Sequence, residues 1–201
     1  MPSNVNYIKG VVICHGKSEV CLVKYIYTNL HLPIKVFAKN GGKNSIQITS
    51  LKTLLSAPPF NNLNNFVNQY DIETVGKGKH RVLQNFKLFI IMDTDDCTAE
   101  QKDDYINKEM FKGHWLYDHI VPIYNISNLE EVLVKSKIMS KKIKTGDKGE
   151  YYEKIFPINS NPLSNDTLYE VNTFNEQVRR VKSTNLETFI DHCLSLLERI
   201  K

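Results

Sequence analysis

Residues 86–92 (FKLFIIM) run directly into Asp93-Thr94-Asp95-Asp96, and that junction limits what this chain can become. Apart from Lys87 the run is apolar throughout, the pattern of a buried strand in a parallel sheet. Carboxylates cannot be solvated along such a strand, so they must emerge at its C-terminal end. Open α/β sheets place their ligands at that end. Carboxylates crowded within a few ångströms repel one another unless a cation offsets them. The junction therefore reads as a Mg²⁺ site.

The surrounding pattern supplies a sheet for it. Residues 7–14 (YIKGVVIC) form a second apolar run, bounded by a turn at His15-Gly16. From Ser18, a plausible N-cap, Val20, Val23, Ile26, Tyr27 and Leu30 recur at helical spacing. Residues 33–38 (PIKVFA) read as a strand closed by the glycine-containing 40–44, followed by a helix over 45–55 that Pro58-Pro59 stops. A weaker helix covers 62–73, and another covers 98–111 after the acidic strand end. Residues 119–124 (HIVPIY) form a shorter strand whose Pro122 points to an edge or a strand end. Asn128 opens a helix with Glu130 and Glu131 in its first turn, where the helix dipole favours acids. Residues 145–166 read as a loop, and an amphipathic helix spans 185–200.

Strands alternating with helices predict an α/β fold: a Rossmann-like, open, mostly parallel sheet of about four strands flanked by helices, with a helical C-terminal extension. The expected division is an α/β domain over 1–144, with a loop and C-terminal helix over 145–201 packing on it.

Composition narrows the setting. No apolar run approaches the roughly 20 residues that span a bilayer, and MPSNVNYIKG lacks the pattern of a secretory leader. The four cysteines form no CxxC pair, which argues against a zinc site or disulfide frame and for a reducing cytoplasm. A net charge of +4 permits a nucleic-acid partner without demanding one. Two basic clusters stand out, Lys77-Lys79-His80-Arg81 and Lys135-Lys137-Lys141-Lys142-Lys144. Each is read either as a solvated face or as a polymer-backbone contact. Trp115 and Tyr117 are open to two readings, a base-stacking pair or core residues.

In a parallel sheet, the segments His15 to Glu19, Asn40 to Asn44 and Asp93 to Asp96 all lie along one edge. Glu19 is thereby expected near Asp93 and Asp95, whose i, i+2 spacing projects them to one side. Strand-His-Gly-Lys-Ser-Glu-helix, then strand-Asp-Thr-Asp-Asp, resembles the Toprim domain of topoisomerases, bacterial primases, recombination-repair proteins and OLD nucleases. That family's pattern is a strand ending in Glu-Gly-x-[Thr/Ser]-[Glu/Asp], then a strand ending in Asp-x-Asp. The stretch Tyr124-Asn125-Ile126-Ser127-Asn128-Leu129-Glu130-Glu131 is similar to a third motif that opens a helix in small Toprim proteins of the phage-defence kind. The resemblance covers 7–135.

The resemblance implies a metal-dependent nuclease acting on DNA or RNA with Mg²⁺ or Mn²⁺. Glu19, Asp93, Asp95, Asp96 and Glu130 would hold the metal, and His15, Glu19, Asp93 and Asp95 would carry catalysis. Lys17 and Lys43 would contact phosphate, with Gly41 and Gly42 letting backbone approach; Lys77, Lys79 and Arg81 would bind the polymer. Small relatives of this kind commonly work beside a separately encoded ATPase, and this chain has no GxxxxGK[ST] loop of its own.

One position departs from the pattern: His15 stands where the family has its first Glu. Imidazole is a poor partner for Mg²⁺, which prefers oxygen, but it can act as a general acid/base. The departure keeps a second reading open, a non-catalytic binding or sensor module. A third, a haloacid-dehalogenase-type phosphotransferase, needs its nucleophilic Asp after the first strand, whereas the acidic pair here follows the third. A bland role also stays open for the acidic run, with Asp96 capping the helix that follows.

Overall fold

The computed structural model describes residues 7–141 and 148–198. The first six residues read for a leader, Lys142 and Lys144 of the second basic cluster, the expected boundary at 144 and the last residues of the 185–200 helix lie outside that range.

Four strands make the central sheet: β1 (Gly10–Cys14), β2 (Ile34–Phe37), β5 (Lys87–Asp93) and β6 (Ile120–Asn125). Their order is β2-β1-β5-β6 and every pairing is parallel. A separate hairpin joins β3 (Thr74–Val75) to β4 (Val82–Leu83). The helices are α1 (Lys17–Asn29), α2 (Leu51–Leu55), α3 (Leu63–Tyr70), α4 (Ala99–Ile106), α5 (Leu129–Lys135), α6 (Lys148–Ile155), α7 (Asn165–Arg179) and α8 (Glu187–Glu198). None is long and apolar enough to cross a membrane among the described residues.

The two-residue period of a strand divides the core into two layers. Val12, Cys14, Phe89 and Ile91 face one layer, packed under α1, α5 and the C-terminal helices. Val11, Ile13, Leu88, Ile90 and Met92 face the other, under α2, α3 and α4. Phe89 meets Phe189 of α8 edge-on at 5.1 Å, so the C-terminal extension shares the core of the sheet. Burying one such ring contributes about 1.5–3 kcal/mol. Tyr105 is fully buried on the opposite face, its hydroxyl near the carbonyl oxygens of Ile90 (2.6 Å) and Ile123 (3.0 Å).

Several expected elements take a different form. Gly16, not Ser18, is the N-cap of α1. The expected 45–55 helix is a 3₁₀ turn at Ile48–Ser50 followed by the short α2, and the 98–111 helix ends as α4 before a 3₁₀ turn at Glu109–Phe111. The 145–166 loop contains α6, and α7 precedes α8, so the C-terminal region holds three helices where a loop and one helix were expected. These helices pack on α1, and α7 and α8 also on each other, so their apolar residues join the core on that face of the sheet. The β3–β4 hairpin gave no sequence signal because two-residue strands are too short to show a period.

Pro122 does lie on an edge strand. Its free side is covered by the segment before α8: Ile126 N–H donates to the Ser183 carbonyl (2.7 Å), and the Asn185 amide bonds both Tyr124 N–H and the Pro122 carbonyl. Covering an edge in this way removes a site for unwanted strand pairing.

Candidate functional site

Between β1 and β5 the chain departs in opposite directions: α1 leaves β1 on one face, and α4 leaves β5 on the other. The connecting loops part there and open a crevice at the carboxyl edge, the general ligand position of open α/β sheets. A cleft of about 290 Å³ occupies it. Its lining brings together His15, Lys17, Asp93, Asp95 and Glu130 from three segments of the chain. The sequence reading placed these residues on one edge, and the structure does so.

Asp93 is the last residue of β5 and is only 7% exposed. Its Oδ1 accepts from the Asn125 amide (3.0 Å) and from Leu129 N–H (3.1 Å) at the start of α5. The amide is oriented in turn: Asn125 Oδ1 accepts from the Thr184 hydroxyl (2.9 Å), so its NH₂ group points at Asp93. Leu186 N–H then donates to Thr184 Oγ1 (3.1 Å), which completes a relay from the C-terminal segment into the cleft. Burial, then the charge of Glu19, then that of Asp95 push the Asp93 carboxyl up to about 8, against the two hydrogen bonds that favour its charged form.

Glu19 is fully enclosed and serves α1. Its Oε2 accepts from Gly16 N–H (2.8 Å), closing the first turn, and its Oε1 accepts from the Ser18 hydroxyl (3.0 Å). It is not among the lining residues, although its charge reaches Asp93. Asp95 and Asp96 are exposed, and only Asp95 lines the cleft. Neither caps α4: Thr98 does, accepting from Gln101 N–H (3.3 Å). Among the described residues, no three His, Cys, Asp or Glu side chains are arranged as a metal centre. The five carboxylates read as ligands are therefore neighbours at one edge, not an assembled shell.

Gly42 explains how the loop after β2 joins the site. A Cβ there would lie 2.9 Å from Lys17 Cα and 3.2 Å from the Gly16 carbonyl carbon, and its φ is +88°. Only glycine allows the loop to lie against the first turn of α1. Gly41 faces open space, and Lys43 is exposed and outside the cleft lining, so the close approach is to backbone of this chain. His15 Nδ1 is buried with no hydrogen-bond partner among the described residues.

Two contributors had no signal in the sequence. Tyr152 of α6 is 2% exposed and lines the cleft, its hydroxyl donating to Glu130 Oε1 (3.1 Å). Burial and the adjacent Glu130 push its phenol far above the usual range. Thr184 acts through Asn125, across 59 residues of chain. No local pattern reports such distant partners.

The basic turn lies elsewhere. Lys77, Lys79 and Arg81 sit between β3 and β4, beside the amino end of β5. The seven-residue β5 separates that end from Asp93, about 20 Å at strand rise. Arg81 Nε donates to Thr74 Oγ1 (2.9 Å) within the hairpin. Trp115 and Tyr117 are engaged on this side too, Trp115 Nε1–H with the Phe60 carbonyl (2.7 Å) and the Tyr117 ring with Lys108 at 4.6 Å.

No protein-family model matches this chain, and neither the curated proteins nor the solved structures contain a match to it.

Proposed function

We propose that the carboxyl-edge cleft is a Toprim-type, divalent-cation-dependent centre that cleaves nucleic-acid phosphodiesters, plausible as a phage-defence effector beside a separate ATPase partner. One observation carries the reading: an Asp93 raised to about 8 by its burial and then by neighbouring carboxylates, in a cleft also lined by Asp95, Glu130 and Lys17. The donors fit a hard cation, because they are carboxylate oxygens gathered at one cleft. Both hydrogen bonds to Asp93 fall on Oδ1, which leaves Oδ2 unused by them.

Asp93, Asp95 and Glu130 are the residues that would hold Mg²⁺ or Mn²⁺, which supplies an activated water and offsets charge on the scissile phosphate. Glu19 holds the first turn of α1 and adds negative charge behind Asp93. Lys17 faces the cleft, where an ammonium pairs with a phosphate oxygen. His15 lines the same cleft and is placed to exchange a proton with a reacting oxygen.

A second reading has its own observation. Glu19 is locked into helix capping and the residue just after β1 is His15, so the centre can bind a cation or nucleotide without turning over.

The test is incubation of the full chain with labelled single-stranded DNA, duplex DNA and RNA in Mg²⁺ or Mn²⁺. Cutting that disappears in Asp93→Ala/Asp95→Ala supports the nuclease, and cutting that survives sinks the site. Cation binding without cutting, with the ATPase partner present or absent, supports the binding module. His15→Glu that gains Mg²⁺-dependent cutting identifies that position as the limit.

A further inference from the structure

The amino edge of the sheet carries a second cleft, of about 370 Å³, unlike the first in every chemical respect. Asn61, Asn62, Arg81, Val82, Trp115 and His119 line it, and no acidic side chain does. Its volume falls in the range of small-ligand pockets, and its walls combine apolar faces with a few convergent polar groups.

Each wall has a definite job. Trp115 is fixed: its Nε1–H bonds the Phe60 carbonyl (2.7 Å), and its ring meets Phe66 edge-on at 5.6 Å. What it offers the cleft is a flat apolar surface already immobilised, so stacking there loses little side-chain entropy. Val82, 53% exposed, forms another apolar wall. Asn61 accepts from Asn62 and Asn65 through Oδ1, and none of those bonds uses its two N–H donors. Arg81 is held at Nε by Thr74 Oγ1 (2.9 Å), so its terminal N–H groups can be presented to a ligand without first being ordered.

Beyond Arg81 the turn continues as exposed Lys77, Lys79 and His80, kept tight by left-handed Gly76 (φ +85°) and Gly78 (φ +57°). One stacking surface beside a string of cations exceeds what a single free nucleotide needs. It matches a polyanion with flat apolar units, one unit inserted and its neighbours' phosphates running along the turn.

We infer that this amino-edge cleft binds single-stranded nucleic acid, with one base against Trp115 and the flanking phosphates on Arg81, Lys79 and Lys77. The site is independent of the carboxylates at the other edge, so it stands whether or not those residues cleave anything.

Trp115 is the single tryptophan of the chain, which gives the site its own optical probe. Full-length protein in a metal chelator is titrated with a single-stranded 12-mer while Trp115 emission is read, and anisotropy of a labelled strand is followed in parallel. Saturable quenching is expected. Arg81→Glu should weaken binding about tenfold, the size of a lost charge-assisted contact. Lys77→Ala/Lys79→Ala should lower the salt slope by about 1.4, at about 0.7 per phosphate contact on a single strand. Trp115→Phe, which keeps an aromatic face, should retain binding while Trp115→Ala loses about tenfold. Binding without quenching, binding indifferent to Arg81→Glu, or tighter binding of duplex overturns the proposal. So does a mononucleotide that quenches as tightly as the 12-mer, or displacement of the strand by an oligo-glutamate peptide of equal charge.

Discussion

The two edges of one parallel sheet have opposite chemistry. The carboxyl edge is crowded with acid and built from buried parts: Glu19 and Asp93 are enclosed, and Asn125, Thr184 and Tyr152 brace the cleft from distant segments. The amino edge is basic and lightly built, with a hairpin of two-residue strands carrying Lys77, Lys79 and Arg81 into solvent. Parallel strands explain the division. Every crossover returns the chain to the same end, so the strand-to-helix loops collect at the carboxyl edge and the incoming segments at the other. A site that must hold carboxylates against their repulsion needs rigid walls; a surface that grips a polyanion needs reach.

The largest expected difference comes from glycines. Gly42→Ala puts a methyl against the backbone of the α1 first turn at a left-handed φ, and should cost about 3 kcal/mol in thermal or denaturant unfolding. Gly76→Ala makes a closer contact, with the His80 carbonyl oxygen, but in an exposed hairpin turn that can open without opening the core, so a smaller global loss, about 1–2 kcal/mol, is expected. The opposite ranking would refute the contrast in rigidity.

The pH dependence separates the edges next. The fold raises Asp93 from an ordinary 3.8 to about 8, so it favours the protonated form. That contribution to stability is complete below pH 4 and is lost as the pH climbs through 8, a few kcal/mol in all. Asp93→Asn should flatten this part of the profile relative to the unaltered chain. Mg²⁺ added at pH 8 should recover stability in the unaltered chain and not in the variant. A Mg²⁺ response equal in both would remove Asp93 from the cation site.

Smaller effects test the bracing. Thr184→Val leaves Asn125 Oδ1 and Leu186 N–H without partners, and about 2 kcal/mol should be lost, with weaker Mg²⁺ binding measured by calorimetry. Tyr152→Phe removes one bond to Glu130 and should cost about 1 kcal/mol, again with a change in cation affinity. If both leave cation affinity untouched, the C-terminal segment supports the fold and not the cleft.

Much of this architecture was legible residue by residue. The run before Asp93, apolar from Leu88 onward, reads as a buried strand, and so does the run ending at Cys14; the structure makes them neighbours. Their polar ends had to meet, since parallel strands share a carboxyl edge. Asn128 was readable as a helix start, and it caps α5. The C-terminal helices were harder to read, because α6 packs chiefly on α1, far away in the sequence. The ligand roles of Glu19 and Asp96 came from the resemblance to the Toprim pattern, which rests on motif spacing. Spacing cannot tell a carboxylate facing a cleft from one turned back to cap its own helix, as Glu19 is.

The sequence by itself therefore determined the layers, the parallel sheet and the edge on which the acids gather. Periodicity and polarity act locally and leave a local record. Only the tertiary structure decided which carboxylates face the cleft, that Thr184 and Tyr152 brace it, and that Arg81 and Trp115 share a cavity at the far edge. Those pairings span 22 to 59 residues of chain and depend on burial, which no stretch of sequence specifies alone.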